Sequence, residues 1–473
     1  MIIKPNFIPS PSIEPSINVG CGLDIPTGIF VPGVHGESIL NGGIGYTTAI
    51  AGNPNHYKSK LLHYLTLSAA SKIAYVTDTN IITYDTEVNI VKDHLRFLTQ
   101  KFDQFKGIDI IASEINDGIW IIFDKREYYA NQWYEIMKEY VEERMKQKKH
   151  LTFDTPFVMR DNKTLVTMMA PFFSEIDSFS RFEAEDTIKQ NEENELGDSG
   201  GNNIYIRQGL VKSRFLLDLP VLTSKNFMYF LTTSWVGEKA KMQGGMPNIP
   251  PKKKMQYLPG DEILKGTPDG FLYSMINSWH IYKAATFSNQ NTKGPEYPRN
   301  SEEQVPGDTD LQIISLRQLR GKAGPSGFNI NIIGSQSEGV LPILSEFHYL
   351  KDDRNRFGIS GNRDNWTLDI YPVVNLKRTN IREKIDSDPL LRRAINITSE
   401  IAQMHQRYKF LDEGTLCTPS ELYEDIKKLG FKWEDLLQTR GWWTLNNDKQ
   451  PIHFLSSMDL LNMRLKKYHP YFL

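Results

Sequence analysis

Residues 46–72 place a short β-branched run, a polar loop and a segment with helical spacing directly after one another. The run reads YTTAIAG, the helical segment reads KSKLLHYLTLSAASK, and GNPNHYKS joins them. A buried strand that leads through a glycine loop into a helix points backbone N–H groups at the helix N-terminus, where an anion is favoured. The pattern therefore predicts an α/β sheet with an anion-binding loop at its edge.

The joining loop departs at one position from the phosphate-loop pattern G-x-x-x-x-G-K-[ST]. Tyr57 stands where the second glycine belongs. In that pattern Lys58 would neutralise phosphate oxygens and the Ser59 hydroxyl would ligate Mg²⁺. The alternative is a capped helix start with an exposed lysine. We expect the tyrosine to be tolerable if its φ is negative, because only a positive φ strictly favours glycine.

The rest of the first 350 residues alternates strand and helix patterns, which predicts a mostly parallel sheet flanked by helices. Strands are predicted at IITYDTE, FFSEIDS and NFMYFLTTSW, and a helix at NQWYEIMKEYVEERMKQKK. The chain has 473 residues, 40% of them hydrophobic, and a net charge of −2, which excludes a disordered chain. The N-terminus does not resemble a secretory signal, no apolar run could span a membrane, and the two cysteines are far apart. We therefore expect a cytoplasmic protein.

Two acidic residues follow predicted strands, where parallel sheets bind their ligands. Glu87 follows the strand after the loop, and Asp177 ends the strand FFSEID. A carboxylate can position or deprotonate an attacking water, and an aspartate after a hydrophobic strand can hold Mg²⁺. Each could equally be a turn acid at a strand end. The order of loop, glutamate and aspartate is more specific than any one of them.

The loop with an aromatic residue before Lys-Ser, the glutamate strand and Ile176-Asp177-Ser178 together resemble the RecA-type recombinase core, closest to the phage UvsX branch. The resemblance implies ATP and Mg²⁺ as cofactors, Glu87 and Lys58 as catalytic residues, and Ser59 and Asp177 as metal ligands. His94 takes the place of a tyrosine that stacks on adenine. Thr233-Ser234 replaces an Asn and a Gln or His that senses the γ-phosphate, so Ser234 is expected to contact ATP. The implied phosphate-binding residues are Gly52, Asn53, Pro54, Asn55, His56, Tyr57, Lys58, Ser59 and Lys60.

Two polar segments, about 192–208 and 236–268, occupy the positions of the family's DNA-binding loops. The first contains ELGDSGGNNIYIRQ and the second a lysine-rich stretch. By composition alone, the lysines would be a solvated surface. The resemblance implies DNA contacts at Gly197, Asp198, Ser199, Arg207, Lys239, Lys241, Lys252, Lys253 and Lys254. A later hairpin, ISLRQLRGKAGPSGFNINI, carries Arg317 and Arg320, which are expected to reach the ATP of a neighbouring subunit.

The predicted organisation is an N-terminal arm or oligomerisation segment (1–35), a RecA-like ATPase core (36–355) and a small, mainly helical C-terminal domain (356–473). Relative to the family, insertions lie at about 150–165 and 285–310. The Trp442-Trp443 pair of the C-terminal region is expected to belong to its core.

The resemblance implies a filament-forming recombinase that pairs single-stranded DNA with homologous duplex DNA. A single-strand-binding protein and a loading mediator are further implied partners, and no membrane is. Two alternatives remain open. One is a hexameric helicase of the DnaB type, although the residues before Gly52 do not resemble its helical N-terminal domain. The other is a catalytically degenerate DNA-binding mediator, which Thr233-Ser234 would suit.

Overall fold

The structure is a computed structural model of the chain. It describes residues 13–73, 79–112, 118–159, 164–193, 201–238, 256–260, 262–300, 302–321, 324–352, 354–362 and 365–473. Throughout, elements are numbered in chain order.

The strands in these ranges are β1 Ile29–Pro32, β2 Ser38–Asn41, β3 Thr47–Gly52, β4 Ile81–Asp85, β5 Trp120–Asp124, β6 Thr152–Val158, β7 Leu165–Met169, β8 Phe172–Asp177, β9 Met228–Glu238, β10 Glu262–Lys265, β11 Asn277–Thr286, β12 Leu311–Arg320, β13 Asn329–Ser335, β14 Gly339–Val340, β15 Ile359–Gly361, β16 Trp366–Leu368 and β17 Tyr371–Leu376.

The helices are α1 Asp24–Thr27, α2 Lys58–Ile73, α3 Lys92–Thr99, α4 Ala130–Lys146, α5 Lys148–Leu151, α6 Glu185–Glu193, α7 Gly201–Asn226, α8 Phe271–Ser274, α9 Pro342–Lys351, α10 Ile381–Ser387, α11 Pro389–Arg407, α12 Pro419–Lys428, α13 Trp433–Leu437 and α14 Ser457–Arg464.

One large sheet organises the chain, in the strand order β14-β13-β12-β11-β3-β9-β8-β4-β5, with β10 paired to β9. The strands from β11 to β5 run parallel to one another, whereas β12, β13, β14 and β10 are antiparallel to their neighbours. The carboxyl ends of β3, β9, β8 and β4 therefore meet at one edge. The prediction of a mostly parallel α/β sheet flanked by helices is confirmed.

The two faces of this sheet are covered by different helices. Along β9, Met228 and Phe230 belong to one apolar cluster with side chains of α4 and α7, such as Trp133 and Phe215. Tyr229 and Leu231 belong to a second apolar cluster with side chains of α2, α9 and α11. Because side chains alternate along a strand, Glu175 and Asp177 of β8 lie on the α2 side.

The second cluster also includes residues of the predicted arm and of the predicted C-terminal domain. Ile17 and Leu23 are buried in it together with Leu460. Trp443 is fully buried, its indole N–H donates to the Ser16 carbonyl at 2.9 Å, and its ring packs edge-on against Phe157 of β6. The expectation that both tryptophans belong to the core is confirmed for Trp443, which is buried in a cluster shared with the rest of the chain, whereas Trp442 is only half-buried. The three-domain division stays a prediction.

One predicted DNA-binding loop is partly helical in the structure, whereas the described part of the predicted insertion at about 285–310 has no strand or helix after residue 286. Residues 201–208, predicted as part of a DNA-binding loop, form the start of α7, whose later residues Phe215, Leu216 and Leu219 pack against the sheet and stabilise the helix. Residues 287–310, which make up most of the predicted insertion at about 285–310, contain no strand or helix among those described. In the part of the chain that the structure describes, no helix combines the length and apolar composition needed to cross a bilayer.

Candidate functional site

The strand, loop and helix predicted around Gly52 are present. All six residues of β3 are buried, and α2 begins at Lys58. In the loop between them, Asn55 and Tyr57 have left-handed φ values of 62° and 64°. The φ of His56, which lies between them, is not in the left-handed region. Alternating conformations of this kind point successive N–H groups to one side, which suits an anion. The predicted order of strand, loop and helix is confirmed, and phosphate binding itself stays a prediction.

The condition under which Tyr57 was expected to be tolerable, a negative φ, is not met, because this residue occupies the left-handed region that favours glycine. A non-glycine residue held there costs about 1–3 kcal/mol. Two contacts offset the cost: the phenol donates a hydrogen bond to the Ser335 carbonyl at 2.5 Å, and the ring packs against Gly334. A Cβ at Gly334 would lie 2.7 Å from the Tyr57 ring, so this close approach requires glycine. Tyr57 thus ties the loop to β13.

Lys58 lies between the loop and the two predicted acids. Its side chain is buried, and Nζ donates to the Asn53 carbonyl at 2.8 Å. Burial lowers the pKa of Lys58, and the negative charges of Glu87 and Asp177 oppose this shift. Three groups from separate parts of the chain are therefore electrostatically coupled at this edge of the sheet.

Asp177 is the best-fitted residue for a metal ion. It is buried at the end of β8 and accepts a hydrogen bond from the Thr233 hydroxyl at 2.5 Å. Burial raises the pKa of Asp177, and His63 and the hydroxyls of Ser59 and Thr233 oppose the rise. A carboxylate beside a serine hydroxyl is a set of hard oxygen donors that suits Mg²⁺, which takes few protein ligands when a phosphate supplies the rest. No group of three or more His, Cys, Asp or Glu in the described ranges could hold a metal by itself.

Glu87 lies just beyond β4, and two donors hold one of its oxygens. Oε1 accepts from the Ser178 hydroxyl at 2.8 Å and from the Trp235 indole N–H at 2.7 Å, while Oε2 accepts from Asn89 at 3.3 Å. Sequence reasoning missed Ser178 as a partner and missed Trp235 altogether. No motif or spacing relates them to Glu87, since Ser178 follows β8 and Trp235 lies within β9, and both are distant from Glu87 in sequence.

Asp85 was also missed, although it shapes the turn that carries Glu87. Its two carboxylate oxygens accept the backbone N–H groups of residues 87, 88, 89 and 90 at 2.8–3.0 Å. An aspartate at a strand end that hydrogen-bonds the following backbone is a recognisable turn signal. The turn that carries Glu87 is therefore built by a side chain two residues earlier.

His94 lies on α3, half-buried, and its Nε2 has no hydrogen-bond partner. Burial, followed by the charges of Lys60 and His63, lowers the pKa of His94. A cavity of about 80 Å³ lies nearby, between α2, α3 and β14, and His94 does not line it. The lining includes Lys60, Tyr64, Leu98, Phe102 and Val340. This cavity is the place most suited to an apolar ring, and its lining residue Leu98 lies one helical turn after His94.

Ser234 is fully buried, and its hydroxyl has no hydrogen-bond partner. It is paired with Ala51 in the parallel register of β3 and β9, directly beside the loop. The strand was predicted to end here, but β9 continues to Glu238 because β10 pairs with its last residues. Thr233 and Ser234 are therefore inside a strand rather than at its tip.

The two arginines of the predicted hairpin both lie on β12, which forms that hairpin with β13. Arg317 donates to Asn329 at 3.0 Å, and its guanidinium lies over the Tyr282 ring at 5.2 Å. Arg320 donates to the Leu272 carbonyl of the same chain. Contact with a neighbouring subunit stays a prediction.

Most of the predicted DNA-binding residues lie outside the described ranges. These are Gly197, Asp198, Ser199, Lys239, Lys241, Lys252, Lys253 and Lys254. Arg207 is described, and it is exposed on α7.

A buried ion pair beneath the site was missed. His63 follows Ser59 by one helical turn, and its Nδ1 lies 3.1 Å from Glu175 Oε2, which also accepts from Thr83 at 2.6 Å. Burial acts to lower the pKa of His63, but the charge and hydrogen bond of Glu175 outweigh it, so the pKa is raised. For Glu175, burial acts to raise the pKa, but the charge and hydrogen bond of His63 and the hydroxyls of Thr66 and Thr83 together outweigh it, so the pKa is lowered. The spacing of four residues from Ser59 could have placed His63 on the same helix face.

No protein-family model matches this chain, and a search of the curated proteins finds no match either. The function of the site must therefore be inferred from the geometry of its residues.

Tyr57→Phe tests whether the phenol ties the loop to β13. It keeps the ring and removes the hydrogen bond to Ser335, which leaves a carbonyl without its donor. We expect the free energy of unfolding, measured by urea denaturation, to fall by about 1 kcal/mol. Tyr273→Phe is the matched control, since Tyr273 is 70% exposed. Equal losses in the two variants would contradict the tie.

The His63–Glu175 pair predicts a pH-dependent contribution to stability. The folded-state pKa of His63 is raised, so its contribution is full below its ordinary value of 6.5 and is lost as the pH rises through the folded-state value. The folded-state pKa of Glu175 is lowered, so its contribution is present above 4.5 and is lost as the pH falls through the folded-state value.

We therefore expect His63→Asn to destabilise most between about pH 4.5 and 6.5, and less at higher pH. Urea denaturation at several pH values measures this, with the exposed His150→Asn as control. A destabilisation that stays constant across the range would show that the pair is not ionic.

Proposed function

We propose that this chain is an ATP-dependent DNA recombinase of the RecA type, closest to the UvsX branch. It forms filaments on single-stranded DNA and promotes homologous pairing and strand exchange. The observation that carries the proposal is that the buried Lys58 at the start of α2 lies at the same edge of the sheet as Glu87, beyond β4, and Asp177, at the end of β8. The negative charges of both acids oppose the lowering of the Lys58 pKa by burial. This is the set that an ATP site of this family needs.

In this proposal, the N-terminus of α2 and Lys58 bind the phosphates of ATP. The Lys58 ammonium exchanges the Asn53 carbonyl for a phosphate oxygen, which is a stronger, charge-assisted acceptor. Asp177 and Ser59 hold Mg²⁺, which when bound supplies positive charge to the phosphate oxygens. Thr233 keeps the carboxylate of Asp177 oriented through its hydroxyl.

Glu87 orients and deprotonates the attacking water. Its Oε1 is held by two donors, which fixes the side chain and leaves Oε2, with Asn89 beside it, to face the water. Positioned general bases contribute about 10²–10⁴-fold to rates.

The adenine ring is proposed to enter the cavity between α2, α3 and β14. Leu98, Phe102 and Val340 offer apolar contacts there, and Lys60 lies between this cavity and the loop. His94 then contacts the edge of the nucleotide instead of stacking on the base. Arg317 and Arg320 stay the two candidates for an arginine acting on a neighbour's ATP, and each donates to an acceptor of its own chain.

DNA binding is proposed for the chain between β9 and β10 and for the chain before α7. The first follows β9, and the second lies between α6 and α7, after β8. The strands β9 and β8 are neighbours in the sheet. The lysines between residues 239 and 254 supply the positive charge that a phosphate backbone requires.

The ATPase assignment predicts that one variant loses ATP hydrolysis and that another loses ATP binding. Wild type should hydrolyse ATP faster when oligo(dT) is added. Glu87→Gln should bind ATP normally and lose at least about 100-fold in kcat, because the amide cannot accept a proton. Lys58→Ala should fail to bind ATP, because it removes the buried cation. Phosphate release and a fluorescent ATP analogue measure the two steps.

Glu139→Gln serves as the control, since Glu139 is exposed on α4 and lies in no proposed site. Turnover of Glu87→Gln at the wild-type rate, or normal ATP binding by Lys58→Ala, would show that the site is not an ATPase centre. Absence of wild-type turnover with intact DNA binding would support the mediator alternative.

The form of the assembly separates the remaining candidates. With single-stranded DNA and a non-hydrolysable ATP analogue, electron microscopy should show open helical filaments, because a head-to-tail contact that does not close produces them. Closed rings would favour the helicase alternative and overturn the recombinase. Single particles bound along the DNA would exclude both assemblies.

A further inference from the structure

Trp235 is one of the two donors that hold Glu87 in the proposed ATPase, and its other contacts link it to the β9–β10 hairpin. Its indole N–H donates to Glu87 Oε1 at 2.7 Å, and an indole nitrogen can only donate. The contact therefore exists only with an acceptor in this position. The Ser178 hydroxyl reaches the same oxygen at 2.8 Å, so Glu87 receives one donor from the end of β8 and one from β9.

Trp235 is itself held firmly at the point where β9 leaves the parallel sheet. Its backbone pairs with Gly52 of β3 on one side and with Lys265 of β10 on the other. Its backbone N–H donates to the Ser180 hydroxyl at 2.8 Å, and the Arg181 guanidinium lies over the indole at 4.7 Å. The orientation of the ring is thus set by three elements at once.

The residues beyond Trp235 connect it to the second proposed DNA-binding segment. From position 236 to 238, β9 pairs with β10 alone, and this hairpin leads into and out of the lysine-rich stretch. The Ser180 hydroxyl also donates to the Lys265 carbonyl at 2.9 Å, so β10 and Trp235 share one anchor. The indole that contacts Glu87 therefore belongs to the same strand as the hairpin and is anchored together with it.

We propose that Trp235 is a positioning residue for Glu87 and that it makes the orientation of this carboxylate depend on the β9–β10 hairpin. The inference rests on the proposed ATPase, which it deepens: single-stranded DNA on the hairpin sets the catalytic glutamate through one hydrogen bond. Ser178 holds the same oxygen from an element outside the hairpin, so the two donors differ in their link to DNA.

Trp235→Phe and Ser178→Ala form a matched pair of tests, because each removes one donor to the same oxygen. Trp235→Phe should lower kcat about tenfold, leave KM for ATP within about twofold, and abolish the stimulation by oligo(dT). Ser178→Ala should lower kcat similarly and keep the fold-stimulation. Unchanged kcat and stimulation in Trp235→Phe would overturn the proposal, as would a raised KM with unchanged kcat.

A spectroscopic measurement tests the contact without turnover. The chain has eight tryptophans, so 5-fluorotryptophan labelling should give assignable ¹⁹F resonances, with Trp235→Phe identifying the one that matters. This resonance should shift in Glu87→Gln and again when oligo(dT) is added, while that of the buried Trp443 should stay in place. No shift in Glu87→Gln would overturn the positioning role.

The two measurements separate failure of this inference from failure of the proposed function. Without wild-type ATP turnover the recombinase assignment falls, yet the ¹⁹F response to Glu87→Gln still decides whether Trp235 and Glu87 are coupled. If the ¹⁹F resonance of Trp235 shifts in Glu87→Gln but not when oligo(dT) binds, the orientation of Glu87 does not depend on the hairpin.

Discussion

The parallel register of β3, β9, β8 and β4 is the constraint on which the candidate site depends. Gly52 lies opposite Trp235, and Asp85 lies opposite Asp177. A slip of one residue in any of these strands would turn its polar tip to the other face of the sheet. The register is secured by apolar side chains that alternate between two clusters, such as Phe230 and Leu231 on β9. Packing deep in the sheet thus decides which functional groups meet at its edge.

The sequence predicted those parts of the structure that local pattern determines. The strand before Gly52, the helix after it and the acids at two strand ends are visible from alternation and helical spacing. The left-handed φ of Tyr57 was not, because the contacts that offset it come from β13, far away in sequence. The helical residues 201–208 were missed for a similar reason, since polar composition hid a helix whose packing lies further along α7. Trp235 had no signal at all, because its role appears only when β9 and β4 are placed in one sheet.

Charge balance explains why these groups can be buried together. Lys58 lies among carboxylates, and the His63–Glu175 pair lies beneath Asp177. A charge taken out of water is tolerated only when partners replace its hydration. A triphosphate would add several negative charges beside Glu87 and Asp177, more than Lys58 and a helix N-terminus can offset. The arrangement is therefore suited to an anion that arrives with a divalent cation, and poorly suited to a free anion of the same size.

The roles proposed for Thr233 and Ser234 depend on their position in β9, next to Trp235. Thr233 holds Asp177, and two residues later Trp235 holds Glu87, so a single strand orients the proposed metal ligand and the proposed base. Ser234 between them is paired with Ala51, just before the loop that follows β3, and its hydroxyl has no hydrogen-bond partner. In the proposed ATPase, this short hydroxyl would leave the phosphate contact that a longer amide or imidazole makes to the groups on either side. Movement of β9 would then act on metal and water together, which makes this strand the element through which the two proposed ligands, ATP and DNA, most directly affect each other.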